Sequence, residues 1–392
     1  FVILSNILYP SIFVSVSFRA SLNSSIASFN LVLEAESNDD FALLIRRAAE
    51  NSGISADIIE KDYYVTLMLE ELAGKQDTIK AYFKGGTCLY KIYAPMQRFS
   101  EDIDLTVCVR GISNSQAKKM LEHSSKKFDS LKLDTENSAN ENHKGSIIQM
   151  YQYDSCFEVP VDPLQRYERV KVEATSFTIS EPTEKNWIHP LLVDALPGDI
   201  VEAVKDEYRL HDFQIENISL ERIFCDKLLA AEFYVQREEY FDVAKHMYDI
   251  ATMIEMPRIQ SMLKNEAAFI SYLSYKRIEE TLRIGSDLSH KPFEEFQLFD
   301  AVFYNQKFEV AFEDMQRKYI FQDEYRITIQ DVRLIMLALK DKLLKMDAAE
   351  QKELHSSEFE KRIAEYNPKF GEDVSGAEDV VDMPVVYRRR GR

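Results

Sequence analysis

The sequence predicts an α/β (α+β) fold, in which a mixed sheet core is flanked by helices and followed by a helical C-terminal part. Segments rich in β-branched residues, at 103–109 and 170–178, are separated by helical patterns in the first half of the chain. From about residue 220 onward, apolar residues recur only at helical spacing. The chain has 392 residues, of which 45% are hydrophobic, which is enough for two ordinary domains or for one domain with a large helical elaboration.

Each element is predicted from its own local pattern. A polar stretch at 34–40 precedes two helices, and Ser55 is suited to cap the second of them. The expected elements are helices at 41–50 and 55–72, a strand at 79–83, helical turns at 87–93, a strand at 103–109, a helix at 116–130, strands at 146–153 and 170–178, and helices at 220–236, 240–255, 266–282 and 329–346.

Four segments are expected along the chain: an N-terminal extension over 1–40, a core with N-terminal helices over 41–200, a helical domain over 201–350 that completes the site, and a charged, loop-rich tail over 351–392. The apolar stretch 1–18 contains Pro10, and no Lys or Arg precedes Arg19. A signal peptide has a basic start and a membrane helix needs about 20 apolar residues. We therefore interpret the extension as an upstream addition rather than as either of these.

Net charge and cysteine spacing restrict the class of protein. The net charge is −18, whereas proteins that bind nucleic acid nonspecifically are usually basic. Any contact with RNA or DNA is therefore expected to use a local basic patch. The four cysteines form no C-x-x-C pair, which disfavours a zinc site and is typical of buried thiols in a reducing compartment. The chain is expected to be cytoplasmic, with no membrane contact.

A glycine turn is the first feature with a chemical meaning. Gly85 and Gly86 follow a predicted strand, and Thr87 opens the helical turns behind them. Two glycines allow the backbone to turn sharply and to approach a ligand closely. The free N–H groups of a helix start attract phosphate, and Thr87 adds a hydroxyl at the same place.

A pair of aspartates follows the glycine turn. Asp102 and Asp104 are two residues apart on a predicted strand, so both side chains face the same side. Two neighbouring carboxylates repel each other unless a cation lies between them, and hard oxygen ligands favour Mg²⁺ or Mn²⁺. Lys84, Lys91 and Arg98 form a basic patch in a stretch without acidic residues. A carboxylate pair beside a cationic phosphate site is typical of phosphoryl or nucleotidyl transfer.

Two alternatives to this interpretation remain. A D-x-D pair can be solvated charge at a strand edge, or it can mark a metal-dependent glycosyltransferase that uses a sugar nucleotide. The combination of the glycine turn, the basic patch and D-x-D at this spacing favours nucleotidyl transfer over both.

The stretch 83–107 resembles the signature of the AbiEii/AbiGii toxin family of nucleotidyltransferases, which is related to the polymerase β-like superfamily. The segment Ile-Glu-Lys-Asp-Tyr-Tyr-Val at 59–65 is similar to the family's I-E-K-D-Y-W-V, with Tyr64 in place of tryptophan. Thr87-Cys88 stands where Thr-Ser or Ser-Ser is usual. The resemblance covers about residues 40–260.

The resemblance implies roles for the residues of both motifs. Asp102 and Asp104 would bind the metal, while Gly85, Gly86 and Thr87, with Lys91 and Arg98 from the basic patch, would bind the nucleotide. The candidate for a third metal-binding carboxylate is Glu173, in a strand similar to the family's I-K-x-E/D. Strand alternation places Glu173 on one face with Lys171, so a simple solvent-face pair of these two is the alternative.

The helical half carries two more residues to which the resemblance gives a role. Lys227 lies in a segment similar to the family's E-K-L-L-A, which implies a phosphate-binding lysine. Asp249 lies in a segment similar to R-H-x-Y-D-L and would orient Lys227 or assist deprotonation. Lys245 replaces the arginine of that motif and cannot form its bidentate fork. The alternative for Lys227 and Asp249 is an ordinary helix pair with solvated charges, and His246 is interpreted as structural.

The reaction implied by the resemblance is transfer of NMP from an NTP to an acceptor, with the tRNA 3′ end as the acceptor to test first. The resemblance also implies a toxin of a toxin–antitoxin or phage-defence pair, with a cognate antitoxin protein as partner. Two further alternatives are modification of a protein or of a small molecule such as an antibiotic, and a non-catalytic nucleotide-binding module.

Overall fold

The computed structural model of the chain describes residues 37–93, 97–136, 138, 145–158, 168–282 and 286–366. The expected N-terminal extension lies outside the described residues up to residue 36. The described strands are β1 Ala81–Lys84, β2 Ile103–Val107, β3 Lys132–Asp134, β4 Ser146–Gln152, β5 Arg169–Thr175, β6 Thr183–Ile188 and β7 Phe213–Ile218. The helices are α1 Ser37–Ser52, α2 Ala56–Ala73, α3 Gln76–Ile79, α4 Gly85–Ile92, α5 Asn114–Lys126, α6 Leu191–Ala195, α7 Gly198–Val204, α8 Leu220–Val235, α9 Tyr240–Met253, α10 Pro257–Lys264, α11 Glu266–Leu282, α12 Gln297–Tyr304, α13 Gln306–Tyr319, α14 Ile329–Leu354 and α15 Ser357–Tyr366.

The strands form one mixed sheet in the order β3-β4-β5-β2-β1-β7-β6. Strand β2 pairs parallel with β5 and antiparallel with β1, and β1 in turn pairs parallel with β7. The outer pairs β3–β4, β4–β5 and β6–β7 are antiparallel. The predicted fold class, a mixed sheet core flanked by helices with a helical C-terminal part, is confirmed.

Alternation along β5 explains how this sheet presents two different faces. Val170, Val172 and Ala174 are fully buried, and Arg169, Lys171 and Glu173 between them are half-buried. Because successive strand residues point to opposite faces, the apolar set lies in the core and the charged set lies on the more open face. The expected placement of Lys171 and Glu173 on one face is thus confirmed.

The sheet and the C-terminal helices share one hydrophobic core. Phe83 of β1 and Leu105 of β2 belong to the same cluster as Phe224 of α8 and Met247 of α9. Strand β7 lies beyond residue 200, which the sequence predicted as the end of the core. It nevertheless belongs to the sheet, since it pairs with β1 and lies between β1 and β6. The sheet is therefore completed from the segment that was expected to be helical.

Part of the expected loop-rich tail is helical. In α15, Phe359 is fully buried and packs with Ile179, Ile278 and Leu354, which gives this short helix an apolar anchor. The tail predicted to be loop-rich over 351–392 is therefore helical at Ser357–Tyr366. Residues 367–392, with the terminal arginines, lie outside the described residues. Within the described part of the chain, no helix is long and apolar enough to cross a membrane.

Candidate active site

The predicted metal-binding carboxylates lie near one another where β1 ends and β2 begins, beside the second half of β5. Asp104 of β2 lies in register opposite Lys84 on one side and opposite Glu173 on the other. The three central strands thus bring one cation and two carboxylates next to each other. Asp102 precedes β2 by one residue, so it lies at the start of the strand rather than within it as expected.

The glycine turn packs directly on Asp104. Gly85 begins α4 with φ of +82°, a left-handed conformation that favours glycine. A Cβ atom at this position would overlap Oδ2 of Asp104 and lie 3.0 Å from its Cγ. The first turn of α4 therefore faces the carboxylate, with its free backbone N–H groups at the same end of the sheet.

The second glycine packs on a different pair of side chains. A Cβ atom on Gly86 would lie 2.8 Å from an Nη atom of Arg98 and 2.8 Å from Oγ of Ser100. Thr87 is fully buried, and its hydroxyl donates to Ser100 Oγ at 3.0 Å. The Thr87 side chain therefore fixes the turn, and the backbone of the turn is the part that can meet a ligand.

Lys171 links the carboxylates at the sheet end. Its Nζ atom lies 2.7 Å from Oδ2 of Asp102 and 3.9 Å from Oε2 of Glu173. Burial and the adjacent Glu173 carboxylate raise the pKa of Asp104 to about 6, while the Lys171 ammonium opposes the shift. Lys171 contacts both Asp102 and Glu173. The Lys171–Glu173 pair that the sequence left as an alternative is therefore present, as one part of a larger group of charges.

A buried ion cluster lies behind the glycine turn. Arg98 donates to both oxygens of Asp249, at 2.7 and 2.9 Å, and Lys227 Nζ lies 2.8 Å from the same carboxylate. Asp249 is fully buried and its two partners nearly so, which excludes the alternative of an ordinary solvated helix pair. Although burial opposes ionisation, the two cations hold the pKa of Asp249 well below its usual range.

Comparison with known proteins identifies the family. A family model described as nucleotidyl transferase AbiEii toxin, type IV TA system, matches residues 67–363, which is more than half of the chain. The chain belongs to the AbiEii family of nucleotidyltransferase toxins. It is also similar to MenT4, nucleotidyltransferase toxin Rv2826c from Mycobacterium tuberculosis H37Rv, with a TM-score of 0.49 and 15% identity, covering 82% of this chain and 97% of that chain. No curated protein matches significantly.

Membership of the AbiEii family confirms the resemblance seen in the stretch 83–107. The segment 59–65 precedes the matched region, which begins at residue 67. As a member of the AbiEii family the chain is an NTP-dependent nucleotidyltransferase. The family consists of toxins that have a cognate antitoxin. Nucleotidyltransferases generally use a divalent metal ion.

The carboxylates of this AbiEii chain are chemically suited to a divalent metal, although they are not arranged as a closed site. Asp104 and Glu173 are hard oxygen donors side by side, and burial together with the adjacent Glu173 carboxylate raises the pKa of Asp104, so a divalent cation would stabilise its ionised form. Among the described residues, no three His, Cys, Asp or Glu side chains form a ready cluster for a metal ion. Asp102 is instead paired with Lys171.

Substitution of Gly85 tests the contact between the turn and Asp104. We expect Gly85→Ala to reduce transferase activity about a hundredfold, because displacement of a reacting group by about 1 Å has effects of that size. Gly53→Ala is the matched control, since Gly53 has φ of +72° with no atom within 4 Å of the added Cβ. Both variants carry the same backbone strain, about 1 to 2 kcal/mol. Equal activity of the two variants in a steady-state assay would contradict the prediction.

Lys91 of the basic patch is placed differently from Arg98. Both hydrogen bonds recorded for its Nζ atom go to the carboxylate of Asp62 in α2, at 2.8 and 2.9 Å, and both side chains are 2% exposed. The Lys91 cation therefore ties α4, which carries the glycine turn, to α2. The contact of Lys91 with nucleotide stays a prediction. The buried Lys91–Asp62 pair does not support it.

The segment 59–65 contains positioning residues that the sequence interpretation left without a role. Asp62 holds Lys91, Lys61 donates to the backbone carbonyl of Arg169 at the start of β5, and Glu60 accepts from Ser155 and from the Cys156 backbone N–H. The run of three charged residues inside an apolar helix pattern was the signal for such buried contacts. Ser100 was missed because only the fold brings it to Gly86 and Thr87.

The Asp62–Lys91 pair gives a second prediction. Asp62→Asn should destabilise the protein by about 3 to 5 kcal/mol, because it leaves the Lys91 ammonium buried without its counter-charge. Adding Lys91→Met should recover most of that loss and leave the KM for NTP near that of the unaltered enzyme. Chemical unfolding and steady-state kinetics measure the two effects, with Glu50→Gln in the exposed Arg47–Glu50 pair as control. A raised KM in the double variant would instead indicate that Lys91 contacts the nucleotide.

His246 lies beside the buried ion cluster and stacks on Tyr234, with ring centroids 5.3 Å apart. Burial and the neighbouring Lys227 hold the pKa of His246 well below its usual range, so the imidazole is neutral at physiological pH. Lys245 pairs with Asp242 at 3.1 Å on the partly exposed side of α9. These contacts agree with the structural interpretation of His246.

Proposed function

We propose that this AbiEii family enzyme transfers NMP from an NTP to the 3′ end of tRNA, with Mg²⁺ or Mn²⁺ bound by Asp102, Asp104 and Glu173. The observation that carries the proposal is the register of the sheet, which places Asp104 between Glu173 and the Lys84–Gly85 turn. A carboxylate pair thereby lies against a helix start with free N–H groups, as nucleotidyl transfer requires.

The reaction is a displacement at the α-phosphorus of the NTP. The acceptor hydroxyl oxygen forms a bond to phosphorus, the bond to the α–β bridging oxygen breaks, pyrophosphate leaves and the hydroxyl proton is released to solvent. A bound divalent ion supplies Lewis-acid stabilisation of the phosphate charge. The chain's own residues bind the nucleotide and hold it in line for attack.

The turn residues Gly85, Gly86 and Thr87 offer backbone N–H groups to the triphosphate at the start of α4. Arg98 lies directly behind Gly86, and Lys227 shares its carboxylate partner Asp249. In this proposal Asp249 orients both cations so that their positive charge faces the phosphates. Its lowered pKa keeps Asp249 ionised, which makes it unsuited to the role of general acid.

The acceptor and the cellular role are the finer parts of the proposal. A net charge of −18 requires that tRNA contact a restricted cationic surface rather than the whole protein. The toxin would act in a toxin–antitoxin or phage-defence system, in which the cognate antitoxin restrains it. The expected cytoplasmic location follows from this role.

Incubation with each α-labelled NTP in turn, together with total tRNA, cellular protein or antibiotics, tests the acceptor. We expect Mg²⁺-dependent label on tRNA that is absent when the 3′ end of the tRNA has been oxidised with periodate beforehand, and absent with Asp104→Asn. Label on protein or on an antibiotic would replace tRNA with that acceptor. Nucleotide binding without any label transfer would favour the non-catalytic module, and release of nucleoside diphosphate from a sugar nucleotide would favour the glycosyltransferase.

A further inference from the structure

Lys171 forms ion pairs with two of the metal-binding carboxylates proposed above. Its ammonium lies 2.7 Å from Asp102 and 3.9 Å from Glu173, and Glu173 is the strand neighbour of Asp104. One lysine thus neutralises part of the charge of Asp102 and Glu173.

The strand fixes where the Lys171 side chain can go. Its neighbours Val170 and Val172 are fully buried on the opposite face, so the backbone register directs Lys171 to the face of Glu173. The side chain is nevertheless 24% exposed, and those of Asp102 and Glu173 are 37% and 34% exposed. The ammonium can therefore move into solvent by rotation of its flexible stem while the strand stays in place.

We infer that Lys171 is a built-in counter-ion of the metal-free enzyme, and that a divalent cation must displace its ammonium to bind these carboxylates. The inference rests on the proposed function, because it assumes the metal role of Asp102, Asp104 and Glu173. It accounts for the lack of a ready three-ligand cluster among the described residues. In the metal-free enzyme Asp102 pairs with the Lys171 ammonium, which also lies 3.9 Å from Glu173.

Displacement of Lys171 couples metal binding to nucleotide binding. Without NTP the released ammonium loses its carboxylate partners, which weakens the apparent affinity for the metal ion. A bound triphosphate supplies new negative charge at the same end of the sheet, where the glycine turn lies. The enzyme therefore binds a metal ion together with NTP more readily than the metal ion alone.

The test is calorimetric titration of the full chain with Mn²⁺ alone, followed by titration in the presence of a non-hydrolysable NTP analogue. Lys171→Met should tighten Mn²⁺ binding about tenfold in the absence of nucleotide, a typical size for such coupling. Lys171→Arg, which keeps the charge, should remain near the unaltered enzyme. Lys185→Met on β6 is the matched control, because it removes one charge from the same sheet away from the carboxylates.

Two further measurements accompany the titration. The NTP analogue should tighten Mn²⁺ binding less in Lys171→Met than in the unaltered enzyme. Without metal, Lys171→Met should unfold at a lower temperature than Lys185→Met, and saturating Mn²⁺ should remove that difference, because the metal ion replaces the lost cation.

Unchanged or weaker Mn²⁺ binding by Lys171→Met, while Asp104→Asn abolishes binding, would overturn the inference and leave the proposed function intact. Absence of Mn²⁺ binding in every variant, with and without nucleotide analogue, would overturn the proposed metal site and the inference together. These two failures are distinguished by the unaltered enzyme, which binds Mn²⁺ in the first case only.

Discussion

Asp104→Asn is expected to reduce NMP transfer about a thousandfold, which is the effect of removing one preorganised electrostatic contact from an active site. The substitution keeps the shape of the side chain but removes the charge between Glu173 and the glycine turn. The measurement is single-turnover transfer of α-labelled NTP at saturating Mg²⁺. Glu216→Gln, in strand β7 of the same sheet, is the control and should retain full activity.

The same variant should be more stable than the unaltered enzyme when no metal is present. The pKa of Asp104 is raised in the folded state, to about 6, so the ionised carboxyl destabilises the fold. This penalty appears as pH rises above the unfolded value of about 4 and is complete above the folded value. At pH 8 the unfolding midpoint of Asp104→Asn should therefore be higher. An inactive variant with lowered stability would indicate a structural defect instead.

Asp249→Asn is expected to destabilise the protein as strongly as Asp62→Asn and to lower activity as well. Its carboxylate is fully buried between Arg98 and Lys227, and the substitution leaves two buried cations without their counter-charge. Breaking a buried pair in this way costs about 3 to 5 kcal/mol. Urea unfolding at pH 7 measures the loss, and transferase activity should fall as well because the cations lose their orientation.

The control lies on the same helix. Asp242→Asn removes the partner of Lys245 in a pair whose side chains are 26% and 28% exposed, so the loss should stay below about 1 kcal/mol. Because the folded state depresses the pKa of Asp249, its contribution is present at neutral pH and is lost in acid, below the usual range of an aspartate. Equal destabilisation by Asp249→Asn and Asp242→Asn would contradict the prediction that the buried cluster of Arg98, Lys227 and Asp249 stabilises the fold.

The sequence was sufficient to predict the elements that carry the site. Strand alternation placed Lys171 and Glu173 on one face, and the glycine pair after a strand placed a helix start next to the aspartates. These features are local, since each depends on residues a few positions apart. The long helices α8, α9, α11 and α14 were predicted for the same reason.

The sequence did not reveal contacts between distant segments. Asp62 and Lys91 are 29 residues apart, and Arg98 and Asp249 are 151 residues apart, so no spacing rule connects them. Strand β6 was missed because its alternating residues are mostly polar, as expected for an edge strand. Strand β7 was missed because it lies in a region interpreted as helical.

The position of β7 bears on when the protein becomes active during synthesis. A nascent chain that has emerged only to residue 212 has no strand to place between β1 and β6, and it lacks Lys227 and Asp249. In such a chain β1 and β6 would each have an unpaired edge that β7 covers in the full chain. Synthesis must therefore continue beyond residue 218 before the sheet can be completed, and we expect fragments that end before β7 to be inert in the transferase assay.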